Sequence, residues 1–343
     1  MANVIPTKIT VKSTARLHMG FFDLHGGLGR KFGSIGLSLT TPGVELTVNP
    51  SDKLLVTGLA SQRAFDIAQK IITKLSLNGA VNINIKQCIP QHAGLGSGTQ
   101  FALAIGAAIS RLYQLNLNVA QIAELTGRGS RSGIGIAAFN SGGLLIDGGR
   151  VSGLDSSSKD KLQEASLPVL SLKAPSLKVP PLLARYDFPE HWRILLILDA
   201  GKPGIHGEEE LVAFNKLPVF SENLAAHLCR SVLMQAMPAL VEQDLNTFGR
   251  SIRELQAHVG DYFAPAQGGR YASKQVGAVL QYLEDTGVAC LGQSSWGPTG
   301  FAVFENAAEA EKHLQQLKIT FAESNLTWVI CSANNHGAEI IQA

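Results

Sequence analysis

The stretch "HAGLGSGTQ" at residues 92–100 carries a glycine at every second position: Gly94, Gly96 and Gly98. Glycine lets the backbone approach an anion without a Cβ in the way, and it reaches positive φ where a turn requires it. The apolar residues that follow predict a helix from about Thr99 to Tyr113, whose unpaired N–H groups and dipole point at the same place. Ser97 and Thr99 add hydroxyl donors. The stretch predicts a phosphate or diphosphate site, although a tight strand-to-helix turn has a similar composition.

The spacing of this loop excludes two common nucleotide-binding motifs. No lysine follows the last glycine, as a P-loop requires. The loop also lacks the G-x-G-x-x-G pattern of a doubly wound sheet. The residues alone leave open whether a phosphate held here is transferred or released.

Length and composition describe an ordinary globular protein. The 343 residues are 45% hydrophobic and 16% charged, which suits about two domains. A net charge of +2 argues against nucleic-acid binding. The four cysteines are too far apart for a zinc motif and are expected as free, mostly buried thiols: Cys88, Cys229, Cys290 and Cys331. Neither a signal peptide nor an apolar run of ~20 residues is visible, so we expect a cytoplasmic protein without a membrane partner.

The sequence around the glycine loop predicts mainly strands in the N-terminal part of the chain and a mixture of helices and strands in the C-terminal part. Alternating runs such as "KITVKSTARLHMG" and "VNINIKQ" predict half-buried strands before the loop. After it, Asn118 is expected to cap a helix, and "SGIGIAAFNSGGLLIDGG" to form a hairpin that turns at Gly142 and Gly143. "WRILLILDAG" predicts a buried strand, and the loop-rich residues 150–190 are expected to connect two lobes. This order predicts an α+β protein.

The glycine loop also resembles a known family motif. "PQHAGLGSGTQ" is similar to the P-x-x-x-G-L-G-S-S-A motif of the GHMP kinase superfamily, and "GQSSWGPTGFAVF" stands where that superfamily has a late glycine-rich segment. The resemblance implies a ribosomal-S5-domain-2-like N-terminal lobe at residues 1–185 and a ferredoxin-like C-terminal lobe at residues 186–343. Two departures speak against a kinase. Thr99 and Gln100 replace small residues, and Gly135 stands where mevalonate-kinase-like members carry an aspartate that activates the acceptor.

Three longer strings point to one non-kinase family of this superfamily. They are "ARLHMGFFDLHGGLGRKFGSIGLSL", "GRGSRSGIGIAAFNSGGLLIDGG" and "GQSSWGPTG". They closely resemble the β-ribofuranosylaminobenzene 5′-phosphate synthase family, over nearly the whole chain. That resemblance implies condensation of 4-aminobenzoate or 4-hydroxybenzoate with 5-phosphoribosyl 1-diphosphate, releasing CO2 and diphosphate, in tetrahydromethanopterin biosynthesis and one-carbon metabolism. It also implies a homodimer and Mg2+ or another divalent cation that bridges the diphosphate. The glycine loop then holds a phosphate that is released or carried by the ribose.

This reaction suggests roles for four arginines in the matched strings: Arg16, Arg30, Arg128 and Arg131. Arginine binds a carboxylate or phosphate through two parallel hydrogen bonds, and Arg131 is expected to be the anion clamp. His18 follows Arg16 by two residues, so both side chains share one face of a strand. There His18 would bind the ribose phosphate or shuttle a proton. A solvated arginine and a hydrogen-bonded structural histidine are the alternatives.

The remaining candidates lie in turns and loops. Asp23 would hold a ribose hydroxyl or the metal, or else cap a turn. A turn between two late strands carries Ser294, Ser295 and Trp296. This tryptophan would stack on the acceptor ring or belong to the core. A loop after the buried strand carries Lys202, His206 and the acidic run Glu208–Glu210, which would reach a cleft between the lobes or begin a helix.

Two other functions fit the same residues. One is an ATP-dependent small-molecule kinase of the superfamily, and the missing aspartate at Gly135 argues against it. The other is a ligand-binding homologue without catalytic activity, and the retained arginine and glycine strings argue against that. A measurement of ATP turnover distinguishes the kinase from a synthase.

Overall fold

The computed structural model describes residues 7–129, 131–151, 179–201, 204 and 217–343. The strands in these ranges are β1 Ile9–Asp23, β2 Arg30–Lys31, β3 Gly33–Ser51, β4 Leu55–Gly58, β5 Ala80–Gln87, β6 Leu144–Asp147, β7 Arg150–Val151, β8 Leu182–Tyr186, β9 Arg193–Asp199, β10 Cys290–Gln293, β11 Thr299–Phe304, β12 Leu326–Cys331 and β13 Glu339–Gln342. The helices are α1 Ser61–Lys74, α2 Ser97–Leu112, α3 Val119–Thr126, α4 Ile134–Ser141, α5 Glu222–Val241, α6 Leu245–Gln267, α7 Lys274–Asp285 and α8 Ala307–Thr320.

The first sheet carries the glycine loop and the long strand β1. Its strands follow the order β13-β1-β3-β5-β4, and β6 extends it by pairing with both β3 and β8. Helix α2 packs on β1 and β3 and is buried on nearly all sides, which explains its unbroken apolar sequence. The register of β1 against β3 shifts on both sides of the pair Arg16 and His18. Such bulges re-aim side chains.

The second sheet is antiparallel, with the order β10-β11-β9-β12. The near-continuous apolar run of β9 is explained by burial on both faces. Ile194 and Leu196 belong to the core shared with α6, whereas Leu195 and Ile197 belong to a cluster with α7 and α8. The buried strand predicted at "WRILLILDAG" is therefore confirmed.

Two sheets with helices packed on them confirm the predicted α+β class. The border between residues 185 and 186 stays a prediction. One strand does not follow it, because β13 pairs antiparallel with Ile9–Lys12 of β1 and so lies in the first sheet. The long connection expected at residues 150–190 falls mostly outside the described residues.

One predicted element is wrong. The stretch expected as a hairpin contains helix α4, Ile134–Ser141, followed by strand β6. Gly142 and Gly143 do adopt positive φ, at 62° and 81°, but they end the helix and do not join two strands. The predicted N-cap is correct, since the Asn118 side chain accepts from the backbone N–H of Gln121 in a capping box.

Helix α5 is long and apolar enough, by length and composition alone, to cross a membrane, and it is the only such helix in the described ranges. This differs from the expectation that no such run exists. The core helix of a soluble protein passes the same test, and α5 packs on β1 through its N-terminal half. The four cysteines are free, and Cys290 and Cys331 are buried.

Candidate functional site

The glycine loop enters α2 directly. Gly94 and Gly96 adopt φ of 78° and 79°, so both need the left-handed region that glycine tolerates. The helix begins at Ser97, two residues before the predicted start, and the backbone N–H groups of Thr99 and Gln100 donate to the Gly96 carbonyl. The N–H groups of Ser97 and Gly98 have no acceptor among the described residues. The positive end of α2 therefore presents free donors at the loop.

Three arginines surround this loop in a cleft of about 510 Å³: Arg16, Arg63 and Arg128. A Cβ added to Gly98 would lie 3.2 Å from Arg128 Nη1 and 3.3 Å from Arg63 Nη2. One added to Gly96 would lie 3.1 Å from Arg16 Cγ. The guanidinium groups thus lie against the glycines, because these positions have no side chain.

The cleft carries positive charge that the described residues do not neutralise. Burial lowers the pKa of Arg128, and the neighbouring Arg63 lowers it further. Burial lowers the pKa of Arg63 as well, while its guanidinium lies 5.3 Å from the ring centroid of Phe101. No described carboxylate pairs with either arginine, and Arg128 Nε is buried without a partner. Arginine stays protonated under such shifts, so this cleft suits a polyanion such as diphosphate.

A buried carboxylate holds the loop that carries Arg128. Asp147 Oδ2 accepts hydrogen bonds from Ser34 Oγ at 2.7 Å, Ser132 Oγ at 2.9 Å and the Gly133 N–H at 2.9 Å. Its Oδ1 accepts from the Gly149 N–H at 2.8 Å. Burial raises the pKa of this carboxyl, and the four donors oppose the shift. Asp147 therefore positions the end of the arginine loop where α4 begins.

A chain of hydrogen bonds connects β1, the glycine loop and the turn after β10. The His18 N–H donates to Ser294 Oγ at 3.0 Å, and that hydroxyl donates to the Gly94 carbonyl at 2.8 Å. Arg16 Nη1 donates to the same carbonyl at 2.6 Å. The Ser295 N–H donates to the His18 carbonyl at 3.1 Å. Predicted candidates from three separate strings therefore meet at Gly94.

Trp296 closes one side of the cleft. Its side chain is buried, and its ring lies 4.4 Å from that of Phe263 between centroids. It lines the arginine cleft and also a smaller cavity that His18 lines. Trp296 is thus a core residue that also lines the cleft, and its stacking on the acceptor ring stays a prediction.

Three predicted residues are placed elsewhere. Asp23 caps a turn, since its Oδ1 accepts from the N–H groups of His25 and Gly26 at 2.9 and 3.1 Å. Arg30 donates to the carbonyls of Gly148 and Gly149 at 2.8 and 2.6 Å. Neither they nor the half-buried Arg131 lines the arginine cleft. Lys202, His206 and Glu208–Glu210 fall outside the described residues, between which Gly204 lines the cleft.

The sequence reasoning missed Arg63 and Asp147. Arg63 lies on α1, far before the loop in the chain, and looks like an ordinary surface charge of an amphipathic helix. Only the packing of α1 on α2 brings it to Gly98. Asp147 ends an apolar run, and the sequence does not show that its carboxylate is buried.

No group of three histidine, cysteine, aspartate or glutamate side chains that suits a metal ion occurs in the described part of the chain. Among the described residues that line the arginine cleft there is one histidine, His92, and no carboxylate. These residues do not form a metal centre by themselves. A cation would need ligands from elsewhere, such as the phosphate oxygens of a substrate.

Comparison with known proteins identifies relatives along the whole chain. Family models described as GHMP kinases N terminal domain and GHMP kinases C terminal match residues 62–143 and 236–323. The β-ribofuranosylphenol 5′-phosphate synthase of Archaeoglobus fulgidus is 36% identical over 97% of this chain and 99% of its own length. The protein of the same name from Methanothermobacter thermautotrophicus is 28% identical over 86% and 88%.

Solved structures share the fold. A homoserine kinase from Cytophaga hutchinsonii superposes with a TM-score of 0.66 at 18% identity, covering 99% of both chains. A mevalonate diphosphate decarboxylase from Staphylococcus aureus gives 0.63 at 14% identity, covering 98% of both. At these identities the likeness concerns the fold alone. The sequence relatives go further: the chain belongs to the β-ribofuranosylphenol 5′-phosphate synthase family, within the GHMP kinase fold.

Proposed function

We propose that the protein is a β-ribofuranosylphenol 5′-phosphate synthase, a phosphoribosyl transferase that condenses a 4-substituted benzoate with 5-phosphoribosyl 1-diphosphate. Relatives of that name match over most of the chain. A ribosylated phenol arises when 4-hydroxybenzoate is the acceptor and its carboxyl group leaves as CO2. 4-Aminobenzoate would give the aniline by the same chemistry. The product belongs to tetrahydromethanopterin biosynthesis.

One observation carries the proposal: the cleft of Arg16, Arg63 and Arg128 around the start of α2. When diphosphate departs, negative charge grows on the leaving oxygen and positive charge on the ribose carbon. Fixed donors aimed at the leaving group lower the barrier to that step. The free N–H groups of Ser97 and Gly98 and the arginine side chains supply such donors. The diphosphate is then released, not transferred.

The kinase alternative has support in weaker relatives. A 4-diphosphocytidyl-2-C-methyl-D-erythritol kinase of Nostoc punctiforme is 24% identical over 90% of this chain. The packing at Gly135 speaks against that activity here. A Cβ at this position would lie 3.1 Å from Thr99 Cγ2, and the buried Gln100 donates to the Gly135 carbonyl at 2.6 Å. The space of an acceptor-activating side chain is therefore filled, and no proton acceptor stands there.

Three further properties belong to this proposal. Mg2+ or another divalent cation accompanies the diphosphate, bound by phosphate oxygens because the described lining contains no carboxylate. The protein acts in the cytoplasm as a homodimer, and neither nucleic acid nor a membrane is a partner. Removal of the cation by a chelator tests the first point, and sedimentation equilibrium tests the dimer.

The deciding experiment supplies phosphoribosyl diphosphate, Mg2+ and carboxyl-labelled 4-hydroxybenzoate, with 4-aminobenzoate in a parallel reaction. We expect labelled CO2 and diphosphate in equal amounts, since diphosphate alone also arises from hydrolysis. A matched reaction with ATP and homoserine, mevalonate or galactose is expected to transfer no phosphate. ATP-dependent phosphorylation without release of labelled CO2 would refute the assignment as a synthase and support the kinase.

A further inference from the structure

A second, smaller cavity adjoins the arginine cleft. Its volume is about 30 Å³, and its lining includes His18, Phe21, Gln256, Phe263 and Gln293. Ser295 and Trp296 line both cavities, so these residues form the boundary between them. A volume of this size holds one water-sized polar group and not an aromatic ring.

His18 presents an unused polar atom to this cavity. Its Nε2 is buried and has no hydrogen-bond partner in the described structure. The ring packs against Phe21, with 4.4 Å between centroids. Burial, and secondarily the charge of Arg16, lowers the pKa of His18 to about 3, so the imidazole is neutral near pH 7. A buried polar atom left without a partner is unfavourable, and a ligand that forms a hydrogen bond with it removes that penalty.

Three other polar side chains of the small cavity, those of Gln256, Gln293 and Arg270, already form hydrogen bonds. Gln256 donates to the carbonyls of Met19 and Gln293 and accepts from the Gln293 N–H at 2.8 Å. Gln293 Oε1 accepts from the Ala272 N–H at 2.6 Å, and its Nε2 donates to the Ser295 carbonyl at 2.9 Å. Arg270, also in the lining, forms two 2.8 Å hydrogen bonds with Asp261. Among these four side chains, only that of His18 has a buried polar atom, Nε2, without a hydrogen-bond partner in the described structure.

We propose that His18 Nε2 accepts a hydrogen bond from the 4-hydroxyl or 4-amino group of the acceptor ring, which makes His18 a positioning and proton-accepting residue of the synthase. This inference rests on the proposed function. The ring is rigid, with the 4-substituent at one end and the reacting carbon at the other. In this proposal the substituent enters the small cavity, the ring lies beside Ser295 and Trp296, and the reacting carbon is directed toward the arginine cleft.

The proposed chemistry uses a neutral proton acceptor at that place. A bond forms between the ring carbon that bears the carboxylate and the anomeric carbon, while the bond from that carbon to diphosphate breaks and its electron pair leaves with diphosphate. Electrons from the 4-substituent support this attack, which makes its proton more acidic, and His18 takes that proton. The bond between ring and carboxylate then breaks, its electron pair restores the aromatic ring, and CO2 leaves. The proton returns from His18, so none is gained or lost.

The test combines a change in the side chain with a change in the ligand. His18→Phe keeps a planar ring without nitrogen, and His18→Gln offers an amide near the position of Nε2. We expect His18→Phe to lower kcat/KM for 4-hydroxybenzoate about 100-fold. Its KM for phosphoribosyl diphosphate and its inhibition constant for benzoate, which lacks the 4-substituent, are expected to stay within about threefold. His18→Gln is expected to restore KM for 4-hydroxybenzoate but not kcat, since an amide takes no proton.

A residue that only supports the fold would weaken benzoate and 4-hydroxybenzoate equally, and that result would overturn the proposal. If His18→Phe does not fold, ligand binding to the wild-type protein tests the proposal. Calorimetry is expected to show 4-fluorobenzoate, which has no proton to donate, binding about tenfold more weakly than 4-hydroxybenzoate. Equal affinities would refute the contact with His18. Wild-type protein that releases neither CO2 nor diphosphate would instead refute the proposed function itself.

Discussion

At the scale of single residues, Gly98 sets how closely the arginines approach the start of α2. Its φ lies outside the left-handed region, and an added Cβ meets only the ends of two flexible side chains. We therefore expect Gly98→Ala to fold with nearly wild-type stability. Displacing Arg63 and Arg128 is expected to weaken binding of phosphoribosyl diphosphate about 10- to 100-fold, the value of one charge-assisted hydrogen bond. Isothermal titration measures the affinity.

The matched control is Gly277→Ala. Gly277 also lies in a helix, α7, and its added Cβ would meet a side-chain atom at 3.2 Å, Tyr271 Cδ2. Because Gly277 does not line the arginine cleft, its variant is expected to bind normally. An equal loss of affinity in both variants would show that the effect of Gly98 is not local.

A second comparison of variants separates the contributions of the individual arginines to anion binding. Arg128 lines the cleft and Arg131 does not, although the sequence favoured Arg131 as the clamp. We expect Arg128→Gln to weaken binding of inorganic diphosphate about tenfold or more, and to reduce its dependence on salt, because one cation is lost from the site. Arg131→Gln and the exposed Arg111→Gln are expected to change the affinity by less than about threefold. A larger loss of diphosphate affinity in Arg131→Gln than in Arg128→Gln would show that Arg131 is the anion clamp.

At the scale of elements, the glycine loop is pressed against the turn after β10. A Cβ on Gly94 would lie 2.2 Å from the Ser294 carbonyl oxygen and 2.9 Å from Gly297 Cα, and its φ is positive. Here the neighbours are backbone and cannot swing aside. We expect Gly94→Ala to lower the free energy of unfolding by about 2 kcal/mol or more, in contrast to Gly98→Ala. Urea denaturation measures the free energy of unfolding. A decrease of less than about 0.5 kcal/mol would mean that the turn after β10 shifts to make room for the Cβ.

Local patterns predicted most of these elements, and the failures have physical causes. The alternation of β5 and the capping residue of α3 are local, so the sequence was enough. Helix α4 was mistaken because its residues from Ile134 to Phe139 are all buried, which removes the amphipathic period, and because its terminal glycines look like a hairpin turn. A local pattern was also enough to select the glycine loop as part of the candidate site, and its role in binding phosphate stays a prediction. Arg63 was missed because a contact between α1 and the loop is set by packing, not by spacing.

At the scale of the whole molecule, one core runs through both sheets. Ile9 and Leu17 of β1, Trp192 beside β9 and Phe248 of α6 belong to the same buried cluster. Gln256 of α6 further bonds to β1 and β10. Because described residues of both sheets share this core, we expect unfolding in one cooperative transition, unlike many chains of this length.

Two signals measured during urea unfolding check this expectation. Fluorescence of Trp192, which is fully buried among Phe188 and Phe248, reports on the second lobe. Circular dichroism reports on all helices. Coincident midpoints are expected, and a Trp192→Phe variant shows how much of the fluorescence change that residue contributes. Separate midpoints would mean that the lobes unfold independently.

The pairing of β13 with β1 has a consequence for biosynthesis. Arg16 and His18 lie on strand β1, whereas residues 339–342, which pair with that strand, are translated long after it. Until then the nascent first sheet has an open edge at Ile9–Lys12, where a neighbouring polypeptide can pair. Polysomes bring such nascent chains together, so the order of synthesis makes this edge a place where the newborn protein needs protection from pairing with its neighbours.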